Sequence, residues 1–178
     1  PQAVYDIRRV TLLAAVLLTL GVACGFFLTL ADMERYSSFV SSDMAQGRPP
    51  NASNEKLREV LYAQSKGRDG LSLFASSLFT HNAKVGMMCV CLGFLAGAPV
   101  VILLFFNGLV LGAMTALYYD RNMGSDFLAW IAGHGVTELG AVVLCGGAGF
   151  ALARALLFPG QQLRGAALAA AGRARSDE

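Results

Sequence analysis

His134 and Glu138 stand four residues apart within Phe127 to Phe158, a run of about thirty residues made mostly of Leu, Ala, Val and Gly. Residues at i and i+4 share a helix face, so an imidazole and a carboxylate are presented together in an apolar segment. Asn107 interrupts a second apolar run, and His81, Asn82 and Lys84 open a third. An acid on a membrane helix costs roughly 2.5–3.5 kcal/mol on insertion scales, so Glu138 is expected to face protein or water. Three chemistries are open to such a set. The first and favoured one is packing: His134 and Glu138 satisfy each other, and Asn107 bonds to a neighbouring helix. The second is a proton or ion relay, since histidine titrates near neutral pH and acid/imidazole chains mark membrane transport paths. The third is a metal site of two histidines and a carboxylate. His-x-x-x-Glu lacks the second histidine and the general base of the His-Glu-x-x-His pattern. We therefore expect no catalytic residue, no metal and no cofactor.

Such groups need helices to hold them. The chain has 178 residues, of which 55% are hydrophobic and 15% charged, against roughly 25% charged in soluble proteins. Several apolar runs reach the roughly 20 residues that cross a bilayer. The formal net charge of +2 is too small to suggest nucleic-acid binding. We expect an all-α polytopic helical membrane bundle of about four spans, forming one membrane domain over residues 1–178. The spans fall at about 10–31, 81–96, 100–119 and 135–157. The first is too long for the apolar region of a signal peptide. Gly97-Ala98-Pro99 separates the second from the third, because proline disfavours helix in the residue before it. Gly133 and Gly135 flank His134, so a broken helix is expected there, with a short interfacial helix over Asp126 to Ala132. The four cysteines, Cys24, Cys89, Cys91 and Cys145, read as small core residues.

An outer loop spans residues 32–70 and carries six acidic and six basic side chains. Asn54 is expected to cap an amphipathic helix from Glu55, with Leu57, Val60 and Leu61 on one face. That face is expected to lie against the bundle in preference to the bilayer surface. Arg8 and Arg9 precede the first span, and Arg154, Arg164, Arg173 and Arg175 follow the start of the last. The positive-inside rule then puts both termini in the cytoplasm, with a cytoplasmic tail over 161–178. Three Gly-x-x-x-Gly pairs, Gly21/Gly25, Gly93/Gly97 and Gly108/Gly112, favour close helix packing and self-association into a homo-oligomer.

Phe79-Thr80-His81-Asn82, Asn107-Gly108 and His134-Gly135-Val136-Thr137-Glu138-Leu139 occur in that order. Together they resemble the stage II sporulation protein M family of bacterial membrane proteins, over roughly Leu73 to Gly172. The family pattern has Asn-Asn where this chain has His81-Asn82, and proline where it has Gly133. The resemblance implies a non-enzymatic scaffold or assembly protein of the bacterial inner membrane and cell envelope, which recruits peptidoglycan-remodelling partners. The alternative function is a small transporter or channel subunit relaying protons or ions through His134 and Glu138.

Overall fold

The computed structural model describes the backbone of residues 2–45, 47–62 and 68–159, and the side chains of residues 7–45, 47–62, 79–133 and 135–159. Its described helices are α1 (Gln2–Ala31), α2 (Tyr36–Phe39), α3 (Ser42–Ala45), α4 (Asn54–Tyr62), α5 (Arg68–Leu92), α6 (Ala98–Asp120) and α7 (Gly124–Leu157). No strand occurs among the described residues. The segments Ile7–Ala31, Ala98–Asp120 and Gly135–Leu157 are long and apolar enough to cross a membrane. The molecule is a helical membrane bundle. α5 contains the segment expected as the second span. Its 25 residues reach about 37 Å at 1.5 Å per residue, more than the roughly 30 Å of bilayer hydrocarbon.

Glycine sets the closest helix contacts. A side chain on Gly21 or Gly25 would run into the carbonyl oxygens of Phe105 or Leu109, and one on Gly108 or Gly112 into those of Leu18 or Val22. The two Gly-x-x-x-Gly pairs thus face each other across α1 and α6, backbone to backbone, as small residues allow. Residue numbers rise together along this contact, so α1 and α6 are parallel. α5 provides the return path between them. α5 and α7 are also parallel, because Gly86 meets Cys145 and Gly149 meets Cys89 farther along. Gly93 closes the same seam, with Gly149 O 2.5 Å from where its Cβ would stand. Gly97 serves differently: at φ 79° it turns the chain after Ala96 (φ 60°), and Pro99 lies in the first turn of α6. The apolar core between the four long helices contains Ala14, Val85, Cys89, Val100, Leu104, Val142 and Phe150.

The expected break at Gly133-His134-Gly135 does not occur. α7 is one continuous helix of 34 residues, about 51 Å long, and residues 126–132 belong to it. Two glycines weaken a helix by about 1 kcal/mol each relative to alanine. Opening the ladder would expose backbone N–H and C=O groups in hydrocarbon, at several kcal/mol per group. Exposure costs more than the glycines do, so the helix stays intact. The extra length carries the start of α7 out of the apolar layer and into a folded cap.

That cap is built from the loop between α1 and α5. Tyr36, Val40, Ala45, Ala52, Leu57 and Leu61 pack with Ala113, Leu117 and Tyr118 of α6 and Phe127 of α7 in one buried cluster. The apolar face of α4 lies against the bundle, as its sequence pattern indicates. α4 begins one residue before the expected start. Ser53 caps it, with Ser53 Oγ accepting from the Lys56 amide at 3.2 Å. Tyr118 is fully buried and stacks on Phe127 with centroids 4.4 Å apart, while Tyr119 is exposed.

Candidate functional site

Four of the polar residues singled out in the sequence, His81, Asn82, Asn107 and Glu138, meet at one level of the bundle. His81 and Asn82 are neighbours on α5, and about 100° of helical rotation separates them. They therefore reach different helices. His81 Nε2 lies 3.3 Å from Asn107 Oδ1 on α6, with the ring N–H donating. Asn82 Nδ2 donates to Glu138 Oε2 on α7 at 2.6 Å. One turn of α5 thus ties both of the last two helices. Asn107 is nine residues into α6, about 14 Å along it, so the layer lies near mid-span.

On the other side of that same turn of α6, Gly108 is pressed against α1. α6 presents glycine to α1 and an amide to α5 from adjacent positions. The glycine contact brings backbones together without polar groups, while the longer side chains bridge the wider gap to α5. Asn82 is buried, and His81, Asn107 and Glu138 are half-buried. Membrane hydrogen bonds of this kind contribute about 0.6 kcal/mol on average and up to about 1.7 kcal/mol. Two of them fix rotation and register more than they supply bulk stability.

The i, i+4 pairing expected between His134 and Glu138 involves a side chain outside the described residues. Among the described residues, Glu138 accepts from an amide 56 positions earlier in the chain. Lys84 is exposed. The described cysteines are all free, with Cys89 fully buried and Cys91 exposed. Among the described residues, no three His, Cys, Asp or Glu side chains gather as a metal cluster. The expected cytoplasmic tail, 161–178, lies outside the described residues.

A second polar arrangement, unforeseen in the sequence, secures the cap. Arg48 is 3% exposed. Its Nε donates to Ala45 O at 2.8 Å and its Nη2 to Met44 O at 3.2 Å. These carbonyls end α3, so the guanidinium closes that short helix. Arg121, just beyond α6, donates to Ala52 O at 3.1 Å and Pro50 O at 2.9 Å. The two arginines thereby hold both sides of the Pro49-Pro50 corner, after Gly47 has turned the chain at φ 78°. Burial pushes the Tyr36 phenol up to about 12, against the opposing pull of Arg48. Its hydroxyl has no hydrogen-bond partner among the described residues. At the exposed start of α4, the Glu55 backbone amide and the Ser53 hydroxyl hold the Glu55 carboxyl below its ordinary range. The only sequence signal for Arg48 is its place in a Gly-Arg-Pro-Pro breaker, which reads as a solvated loop.

A family model described as Stage II sporulation protein M matches residues 14–176 of the chain. No curated protein and no solved structure matches it. The matched stretch includes α6, α7, the cap and every described member of the mid-span polar layer.

Proposed function

The chain belongs to the stage II sporulation protein M family, and from that premise we propose that it is a non-enzymatic scaffold in a bacterial cytoplasmic membrane, assembling cell-wall-remodelling partners on its outer cap. The observation that carries this reading is the cap's construction. Its apolar side is spent on α6 and α7, and its loop is pinned by Arg48 and Arg121. Glu55, Lys56, Arg58 and Glu59 remain exposed on the free side of α4. A platform of this kind can meet a partner without reordering its backbone, which reduces the entropic cost of association.

The directions of α1, α5, α6 and α7 support four crossings with both ends on one side. The arginines at the α1 start and α7 end support a cytoplasmic placement of that side, by the positive-inside rule. The mid-span layer keeps the four crossings in register under the cap. Self-association remains part of the proposal, although Gly21/Gly25 and Gly108/Gly112 are already used within one chain. A second copy would have to use another face.

The test is site-specific photo-crosslinking in cells, with a photoreactive residue at Lys56 or Arg58. Capture of a peptidoglycan-remodelling protein from these positions, and not from lipid-facing Leu12 or Ile102, is the expected result. Absence of such capture, together with a proton or ion flux in vesicles that Glu138→Gln abolishes, would replace the scaffold with the relay.

A further inference from the structure

Among the described residues, the two ends of the bundle differ in the sign of their charges. At the cap end, acids and bases are interspersed: Asp32, Glu34, Asp43, Glu55, Glu59, Asp120 and Asp126 accompany Arg35, Arg48, Lys56, Arg58 and Arg121. At the opposite end, the described charged side chains are Arg8, Arg9 and Arg154, all three exposed. The helix contacts bring these three to one rim. Thr11 packs on Gly147 and Ala14 on Gly146, which sets α1 antiparallel to α7. Arg8 lies one turn below Thr11, and Arg154 two turns beyond Gly147, an axial offset of about 6 Å. Arginine side chains can span that offset. Ala153 touches the Gly97 turn with its Cβ 2.9 Å from the position a Gly97 side chain would take, so Arg154 stands where α5 passes into α6.

Among the described residues, exposed apolar side chains lie beside these arginines. Leu12 is 65% exposed, and Leu157 and Phe158 are 52% and 76% exposed. A guanidinium above an exposed leucine matches one kind of molecule, a phosphate ester attached to hydrocarbon. Arginine offers planar, paired donors to phosphate oxygens, and the leucines run along the acyl chains.

We propose that the rim formed by Arg8, Arg9 and Arg154 binds the phosphodiester headgroups of anionic phospholipids, selecting them over zwitterionic lipid in the leaflet next to the α1 start. The inference rests on the membrane placement of the bundle and not on the scaffold role. A phosphatidylcholine headgroup carries a phosphate too, but its choline opposes the arginines. The net anionic charge is therefore the selected property. Each arginine near an anionic surface contributes on the order of a fivefold preference.

The experiment places the full chain in nanodiscs of mixed phosphatidylglycerol and phosphatidylcholine and counts the lipids retained on the protein by native mass spectrometry. The unaltered protein is expected to retain phosphatidylglycerol over phosphatidylcholine at a ratio at least fivefold above that of the bulk lipid. The combined variant Arg8→Gln/Arg9→Gln/Arg154→Gln is expected to fall close to the bulk ratio. A second variant, Arg35→Gln/Lys56→Gln/Arg58→Gln, removes equal charge from exposed positions at the cap end. It also guards against an effect of net charge alone, and it should keep the enrichment. All six side chains are exposed, and retained helicity by circular dichroism shows that each variant is folded. Enrichment that survives in the rim variant, falls equally in both variants, or is absent from the unaltered protein overturns the proposal.

Discussion

Replacing Gly108 with alanine tests the closest contact in the bundle. The new methyl would overlap the carbonyl oxygen of Leu18, and would lie 2.9 Å from the Val22 amide nitrogen and 3.1 Å from the Gly21 Cα. All three are backbone atoms, so no side-chain rotation can relieve the clash. α1 and α6 must separate by about 1 Å, and a gap of that size forfeits roughly a quarter to a half of each atom-pair attraction. Alanine in a helix recovers at most about 1 kcal/mol of intrinsic propensity. Overpacking ordinarily costs about 1–3 kcal/mol, and a backbone-to-backbone clash belongs at the upper end. The expected net destabilisation is about 1–2 kcal/mol. Gly133 and Gly140 provide the internal reference, because a Cβ at either meets nothing within 4 Å. Gly133→Ala and Gly140→Ala should be neutral or stabilising by up to about 1 kcal/mol. Reversible unfolding in mixed micelles, followed by circular dichroism, measures all three. A Gly108→Ala protein as stable as the unaltered chain, or equal losses at Gly133 and Gly108, would refute the parallel α1/α6 seam.

Tyr36→Phe should be neutral or stabilising by about 1 kcal/mol near pH 7, because it removes a buried hydroxyl with no partner among the described residues; chemical denaturation checks it. The raised Tyr36 pKa carries its own signature. The folded value of about 12 exceeds the ordinary 10.0, so the contribution is complete below about pH 10 and is lost as pH rises toward 12. The loss is about 2–3 kcal/mol. The alkaline slope of stability should flatten in Tyr36→Phe, and an unchanged slope would exclude Tyr36 as its source. Arg48→Ala strips the donors from Ala45 and Met44 and should destabilise the cap by about 2–4 kcal/mol. Hydrogen exchange should quicken over 36–61 with little change in α6 below Asn107; uniform quickening would show that the cap is not a separate layer.

The fold class was legible because apolar runs of membrane length leave few alternatives, and the turn at Gly97 was legible because Ala-Pro follows it. The glycine pairs were also visible, but nothing local to Gly21 and Gly25 names Gly108 and Gly112 as their partners. Helix propensity misdirected the reading at Gly133 and Gly135, where the demand for satisfied backbone in an apolar medium overrides a local preference. The polar residues stood out by their rarity. Their pairing did not, because i, i+4 spacing shows only who shares a face, and Asn82 reaches Glu138 from another helix. Leu57, Val60 and Leu61 revealed the buried face of α4, while Arg48 gave no sign of burial. A guanidinium can enter a core when carbonyls at a helix end accept its protons, and that arrangement exists only after folding.

The bond from Asn82 to Glu138 is the direct test of the packing account, because it ties α5 to α7 at mid-span. A double-mutant cycle with Asn82→Ala and Glu138→Ala, read by unfolding in bicelles, isolates its energy from the effects of truncation. The account predicts favourable coupling of about 0.6–1.7 kcal/mol. Additive effects of the two substitutions, with no coupling, would contradict it.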